Sequence, residues 1–167
     1  SIQEQIEEIL EIADTLPDED PKFDALMEIV KKKQTETKNK LMIFSSFRHT
    51  LHYLYNKLTE QGLRVGLIHG DVIDEERREL RKRFNPNQTP CEDKTEGLDY
   101  QFCDCMVNYD LPWNPMKVEQ RIGRIDRNGQ TSESVAIYNM VTPGTVDADI
   151  YERCLMRIGV FHSSIGD

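Results

Sequence analysis

Gln120-Arg-Ile-Gly-Arg-Ile-Asp-Arg-Asn-Gly-Gln130 is the stretch on which the reading of this chain turns. Arg121, Arg124 and Arg127 recur every three residues, so on a continuous helix they lie along one flank, within about 120° of one another. Three guanidiniums on one flank repel unless something anionic sits opposite. Gly123 and Gly129 keep that surface low, so that a bulky anion can approach closely. A solvated basic face is the plain alternative for any basic helix.

Outward from this stretch, apolar runs alternate with helical patterns. Towards the N-terminus, Cys105-Met-Val-Asn-Tyr-Asp110 reads as a strand ended by Leu-Pro-Trp-Asn-Pro115, and the arginine helix is expected from about Met116. Lys40-Leu-Met-Ile-Phe-Ser-Ser46 reads as a buried parallel strand, and Leu63-Arg-Val-Gly-Leu-Ile68 reads as a second strand after it. Helices are expected over 50–61, stopped by Gly62, and over 74–84, a mixed-charge run with a solvated face. A helix with Asp20 as N-cap and Pro21 at its first position carries Phe23, Leu26, Met27, Ile29 and Val30 on its apolar face. A separate helix is expected over 2–13. Beyond the arginines, 134–141 reads as a last strand and 146–158 as a last helix, with Thr145 or a neighbour as its cap. Strands alternating with helices imply a mainly parallel sheet covered on both faces, an α/β three-layer lobe. The division is 1–19, a helix and linker, and 20–167, the domain proper.

The arginine stretch resembles the sixth signature motif of superfamily-two helicases, in the form carried by the Swi/Snf-type translocases of double-stranded DNA. The resemblance runs over about 20–167 and is strongest to bacterial members related to the RNA-polymerase-recycling ATPase, whose tail 153–159 and 164–167 resemble. It implies a second RecA-like lobe. Arg124 and Arg127 are then expected to act as fingers on the ATP γ-phosphate, with Arg121 behind them at the lobe interface and Gln120 bridging the lobes. Charge spread over a transferring phosphoryl group is best met by planar, always-charged, multiply donating groups. Leu41-Met-Ile-Phe-Ser-Ser-Phe47 resembles motif IV, where Ser46 and Arg48 are expected on the DNA backbone. Ser45 and Ser46 fall where a helix N-terminus is expected to begin, the kind of end that binds phosphate.

Ile68-His-Gly-Asp71 resembles the next station, where Gly70 lets backbone N–H groups approach a DNA strand, while His69 reads more readily as a packed turn residue. Glu96-Gly-Leu-Asp-Tyr-Gln101 resembles motif V, which implies that Gly97 and Asp99 lie near the nucleotide ribose and the DNA. Val107-Asn-Tyr-Asp-Leu-Pro-Trp-Asn-Pro115 is the feature most specific to the Swi/Snf branch. Trp113 on its own reads as a core or turn anchor rather than a platform for a base.

Two departures qualify the resemblance. No Gly-x-x-x-x-Gly-Lys-Ser/Thr or Asp-Glu-x-His sequence occurs, so ATP and Mg2+ are expected to be bound mainly by an N-terminal RecA-like lobe of the same polypeptide. This lobe is not expected to hydrolyse ATP alone, and the opening on Ser1 agrees with an excised domain. The stretch 85–95, polar and with two prolines, stands where a buried strand should precede motif V, and it cannot be a central strand. Either that strand is lost or residues near Thr95–Glu96 are absent from the sequence.

Four cysteines without a zinc spacing and without a signal-like N-terminus imply a reducing, cytoplasmic setting, nucleoid-associated in a bacterium, with buried or neutral thiols and no metal site. No apolar run is long enough for a membrane span. The net charge of −9 means that any DNA contact is local. The competing reading is a degenerate RecA-like lobe that scaffolds a partner protein without catalysis.

Overall fold

The computed structural model describes residues 5–7, 19–85, 100, 102–126, 128–146, 148, 149 and 151. Three parallel strands, β1 (Met42–Phe44), β2 (Cys105–Asn108) and β3 (Ala136–Asn139), form a sheet in the order β1-β2-β3. The register aligns Met42, Met106 and Ile137 in one row and Ile43, Val107 and Tyr138 in the next. Because side chains alternate across a strand, the two rows face opposite ways.

Each row meets its own layer of helices. Ile43, Val107 and Tyr138 pack with Phe23, Leu26, Met27 and Val30 of α1 (Pro21–Gln34) and with Leu54 and Leu58 of α2 (Arg48–Glu60). Met42, Phe44, Met106 and Ile137 pack with Phe84 of α3 (Asp74–Phe84), with Ile122 of α4 (Pro115–Ile122), and with Ile125 just beyond it. The central strand β2 is buried along its whole length, as a strand covered on both faces must be. Each fully buried aliphatic side chain, such as Leu26 or Ile125, contributes about 1.5–3 kcal/mol. The three-layer α/β arrangement read from the sequence is the observed one.

Local chemistry sets the helix ends. Asp20 Oδ1 accepts from Phe23 N at 2.9 Å and Oδ2 accepts from the Tyr53 hydroxyl at 2.6 Å, so the N-cap of α1 also ties it to α2. Burial alone would raise the Asp20 carboxyl, but the hydrogen bonds from Tyr53 and Phe23 outweigh it and hold it below its ordinary value. Gly62 ends α2 with φ +79°, and its N–H reaches Thr59 O at 2.9 Å. Residues 5–7 are helical, within the helix expected over 2–13.

Two expectations are corrected. Residues 63–68 join no ladder; Leu63 and Val65 instead lie against the α1–α2 core, so apolar packing is met without sheet pairing. Thr145 stands just before the last helix; its hydroxyl donates to Thr142 O at 2.6 Å, and its carbonyl accepts from Ala148 N at 3.0 Å. Trp113 is no core anchor: it is 77% exposed, because the buried Leu111 and Pro112 already close the end of β2. The stretch 86–99, with the questioned strand, and the tail 152–167 lie outside the described residues.

Candidate nucleotide and nucleic-acid site at the C-terminal edge of the sheet

In a parallel sheet every strand ends on the same side, and the loops after β1 and β2 meet there. The loop after β1 carries Ser45 and Ser46, and that after β2 carries Tyr109 and Asp110, which is buried. Both oxygens of Asp110 are engaged: Oδ2 accepts a short hydrogen bond from the Ser45 hydroxyl, and Oδ1 accepts from Ser46 N at 2.7 Å. The two serines therefore do not begin α2, whose N-cap is Phe47 and lacks a side-chain cap. A buried carboxylate needs donors, and the nearest are these, so tertiary pairing overrides the local capping expected from the sequence.

Arg121 leans into this cluster from the last turn of α4. Its Nη1 donates to Asn108 Oδ1 at 3.0 Å and to Asp110 O at 2.8 Å, and its Nη2 donates to Ser46 Oγ at 3.0 Å. The Asp110 carboxylate lies 3.9 Å from Nη2, and the guanidinium stacks 5.6 Å from the centre of the Phe44 ring. Both charged side chains are 11% exposed. Burial pulls the Arg121 guanidinium below its ordinary value and Asp110 opposes that; an arginine keeps its charge all the same. Asn108, fully buried, passes its own amide on to Asn139 at 2.8 Å.

The helix stops before the second arginine. Gly123 N reaches Glu119 O at 2.8 Å, then Arg124 N and Ile125 N bond three residues back, to Arg121 O and Ile122 O, at 3.2 and 3.0 Å. Arg121 and Arg124 thus do not share a continuous helix flank, which corrects the single-flank expectation. The turn is tightened because Ile125 must plunge into the core. A Cβ at Gly123 would sit 3.3 Å from Glu119 O, so this tightening suits glycine. Arg124 is half-buried, its carbonyl accepts from Tyr100 N at 2.9 Å, and no partner of its guanidinium is present among the described residues. Gln120 is exposed on α4. Arg127, Gly97 and Asp99 lie outside the described residues.

The remaining expected residues gather at the other loop. Arg48, at the start of α2, forms an exposed ion pair with Asp71. Asp71 N donates to His69 Nδ1 at 3.3 Å, and the His69 ring lies 5.3 Å from that of His52, so His69 is the packed turn residue it reads as. Gly70 is exposed with open space beside it, and Arg77 of α3 binds the turn from behind through the carbonyls of His69, Gly70 and Val72. Ser46, in the loop after β1, and Arg48, the first residue of α2, are thus two residues apart, and Gly70 is joined to them through Arg48–Asp71.

Asp110, Asn108 and Asn139 were not singled out in the sequence reading. The signal for them is polar residues at the end of an otherwise apolar strand, where only a partnered side chain can stay buried. At the opposite end of the sheet Cys103 and Cys105 are buried, and burial pushes each thiol up to about 11, so both are neutral. Among the described residues no helix is long and apolar enough to cross a membrane.

Comparison with known proteins bears on the family and the fold. Residues 21–129 match the helicase conserved C-terminal domain. The chain is 37% identical over 132 residues to an uncharacterised ATP-dependent helicase, YqhH, of Bacillus subtilis, which covers 77% of the chain and 24% of that protein. It is 28% identical over 161 residues to the bovine (Bos taurus) DNA excision repair protein ERCC-6-like, covering 92% of the chain and 13% of the relative. The chain thus spans a quarter or less of the length of these curated relatives. In fold it resembles the C-terminal part of the Fun30 ATPase domain, with a TM-score of 0.67 and 23% identity over 78% of this chain and 44% of the other. A SWI2/SNF2 ATPase core of Sulfolobus solfataricus, solved with double-stranded DNA, gives 0.61 at 19% identity, covering 82% and 29%. The chain belongs to the helicase conserved C-terminal domain family, as a RecA-like second lobe resembling those of the Swi/Snf type.

Proposed function

We propose that this lobe is the C-terminal half of an ATP-dependent translocase on double-stranded DNA, and that it supplies arginine fingers to an N-terminal lobe of the same polypeptide. One observation carries the reading: of the two described motif arginines, Arg121 spends its donors on buried oxygens, whereas Arg124 is held by backbone bonds with its guanidinium unpartnered among the described residues. Holding a charged donor by its backbone while leaving its side chain available is what stabilisation of a developing charge requires. Bound ATP with Mg2+ supplies the phosphoryl group to be transferred, and the donor set here suits its negative charge rather than the metal. Arg124 and Arg127 donate to the γ-phosphate as charge develops, Gln120 and Arg121 stand at the lobe interface, and Gly97 and Asp99 lie towards the ribose. Ser46, Arg48 and Gly70 form the grip on the DNA backbone. Such a grip reads phosphates rather than bases, so no sequence preference is expected. Closing and reopening of the two lobes then steps the protein along one strand, in the cytoplasm and on the nucleoid.

The test is ATP turnover of the full-length polypeptide, with and without duplex DNA, as wild type and as Arg124→Ala and Arg127→Ala. Stimulated turnover that falls by about 10³ or more in either variant supports the fingers. Turnover indifferent to both substitutions sinks them and favours a scaffold that binds a partner protein without catalysis.

A further inference from the structure

Deepening the reading above, and resting on it, we propose that Asp110 is a positioning residue that couples contact at the loop after β1 to the placement of the arginine turn. Its side chain is only 11% exposed and both its oxygens are engaged, so it acts through what it holds. On one side it holds the loop after β1, through the Ser45 hydroxyl and Ser46 N at 2.7 Å. On the other it faces Arg121, whose Nη1 donates to the Asp110 carbonyl at 2.8 Å and whose Nη2 donates to Ser46 Oγ at 3.0 Å. One carboxylate and one guanidinium therefore join three separate pieces of chain: 45–46, 108–110 and α4.

The link continues into the turn. Arg121 O accepts from Arg124 N at 3.2 Å, so the residue clamped by Asp110 is also the first support of the turn that carries Arg124. The clamp has little slack. Asn108 Oδ1 fills the remaining position on Nη1, and Asn108 is itself pinned to Asn139. Ser46 is itself exposed, but its N–H and hydroxyl are bonded directly to Asp110 and Arg121, so a shift of Ser46 when a phosphate is gripped there is passed to Arg121. The neighbouring Arg48, first residue of α2, turns away to Asp71, so it grips without being part of the link.

The experiment uses the full-length polypeptide as Asp110→Asn and as Ser45→Ala, measuring ATP turnover without DNA and with saturating duplex DNA. Asparagine keeps the shape but removes the charge between Ser45, Ser46 and Arg121; Ser45→Ala removes one hydroxyl and leaves the carboxylate. The expected result is a loss of DNA stimulation of about tenfold in Asp110→Asn, the scale of one charge-assisted hydrogen bond, with basal turnover kept. Ser45→Ala is expected to lose stimulation in the same direction, and it carries the test if the asparagine variant does not fold. Basal and stimulated turnover falling in equal proportion, or Ser45→Ala with full stimulation, overturns the coupling and leaves the translocase reading standing. A wild type that DNA does not stimulate overturns both.

Discussion

At the N-terminal end of the sheet, Lys33 Nζ meets Asp104 Oδ1 at 2.7 Å and Glu36 Oε2 at 2.5 Å. At the C-terminal end, Arg121 and Asp110 are equally sheltered, yet their closest approach is 3.9 Å and most of the arginine's bonds go to neutral oxygens. The lysine end closes on itself. Asp104 Oδ2 takes the Ser132 hydroxyl at 2.9 Å, Ser132 N donates to Gln130 Oε1 at 3.1 Å, and Gln130 Nε2 donates to Cys103 O and Ile125 O. Every member is satisfied by another, which is how a buried charge is made permanent. The arginine end reaches instead into loops, two of which present exposed residues, Ser46 and Trp113, to solvent. Similar burial thus serves two purposes: one pair fastens α1 and the chain after the arginine motif to the sheet, and the other connects loops expected to touch ligands.

Substitutions can break or sharpen that contrast. The largest effect is expected at the arginine end: Arg124→Ala lowers DNA-stimulated turnover of the full polypeptide by about 10³ while its urea unfolding midpoint stays in place. A shifted midpoint with retained turnover would make Arg124 structural and erase the contrast. Lys33→Met should do the reverse. It takes the buried ammonium away from the half-buried Asp104 carboxylate and costs about 2 kcal/mol of stability, with turnover per folded molecule unchanged; a matching fall in turnover would show that the lysine end also serves catalysis.

Acidity separates the ends more finely. Burial alone would raise the Asp104 carboxyl, but hydrogen bonds from Lys33 and Ser132 hold it below its ordinary value. Its stabilisation is therefore present above the unfolded carboxyl's pKa and is lost as pH falls through the folded one. Burial alone would lower the Lys33 ammonium, but Asp104 and Glu36 hold it above its ordinary value. That contribution is present below the unfolded lysine's pKa and is lost as pH rises through the folded one. The pair should give a stability plateau between about pH 5 and pH 9, and Asp104→Asn should flatten its acid limb in pH-dependent unfolding. The smallest effect lies outside both ends: Gly62→Ala, forced to φ +79°, should cost about 1 kcal/mol in the same assay and leave turnover alone.

Helix α1 was legible almost to the residue, because Asp20 and Pro21 are local signals and its apolar positions follow a helical period. Helix α3, too, has the span its charge pattern predicted. The arginine motif was legible as a motif but not as a shape. The spacing of Arg121 and Arg124 suggested one flank, whereas Ile125, buried at 0% exposure, draws the chain into a tight turn after Ile122. Residues 63–68 show the same limit from the other side: alternation of apolar residues says which side chains seek the core, not whether a neighbouring strand is there to pair with. Trp113 is not in the core because burial of an aromatic depends on what already fills the strand end, and here Leu111 and Pro112 do.

By itself, the sequence determined the α/β class, the parallel order implied by alternating elements, the Asp20 cap of α1 and the family of the arginine motif. All of these rest on short-range periodicity or on residue types at fixed spacing. Only the tertiary structure decided that Asp110 gathers Ser45, Ser46 and Arg121, and that Lys33 closes a separate network with Asp104 71 residues away in the chain. A buried charge has to find its partners among whatever segments the packed sheet brings within hydrogen-bond reach, and those segments are neighbours in space without being neighbours in sequence.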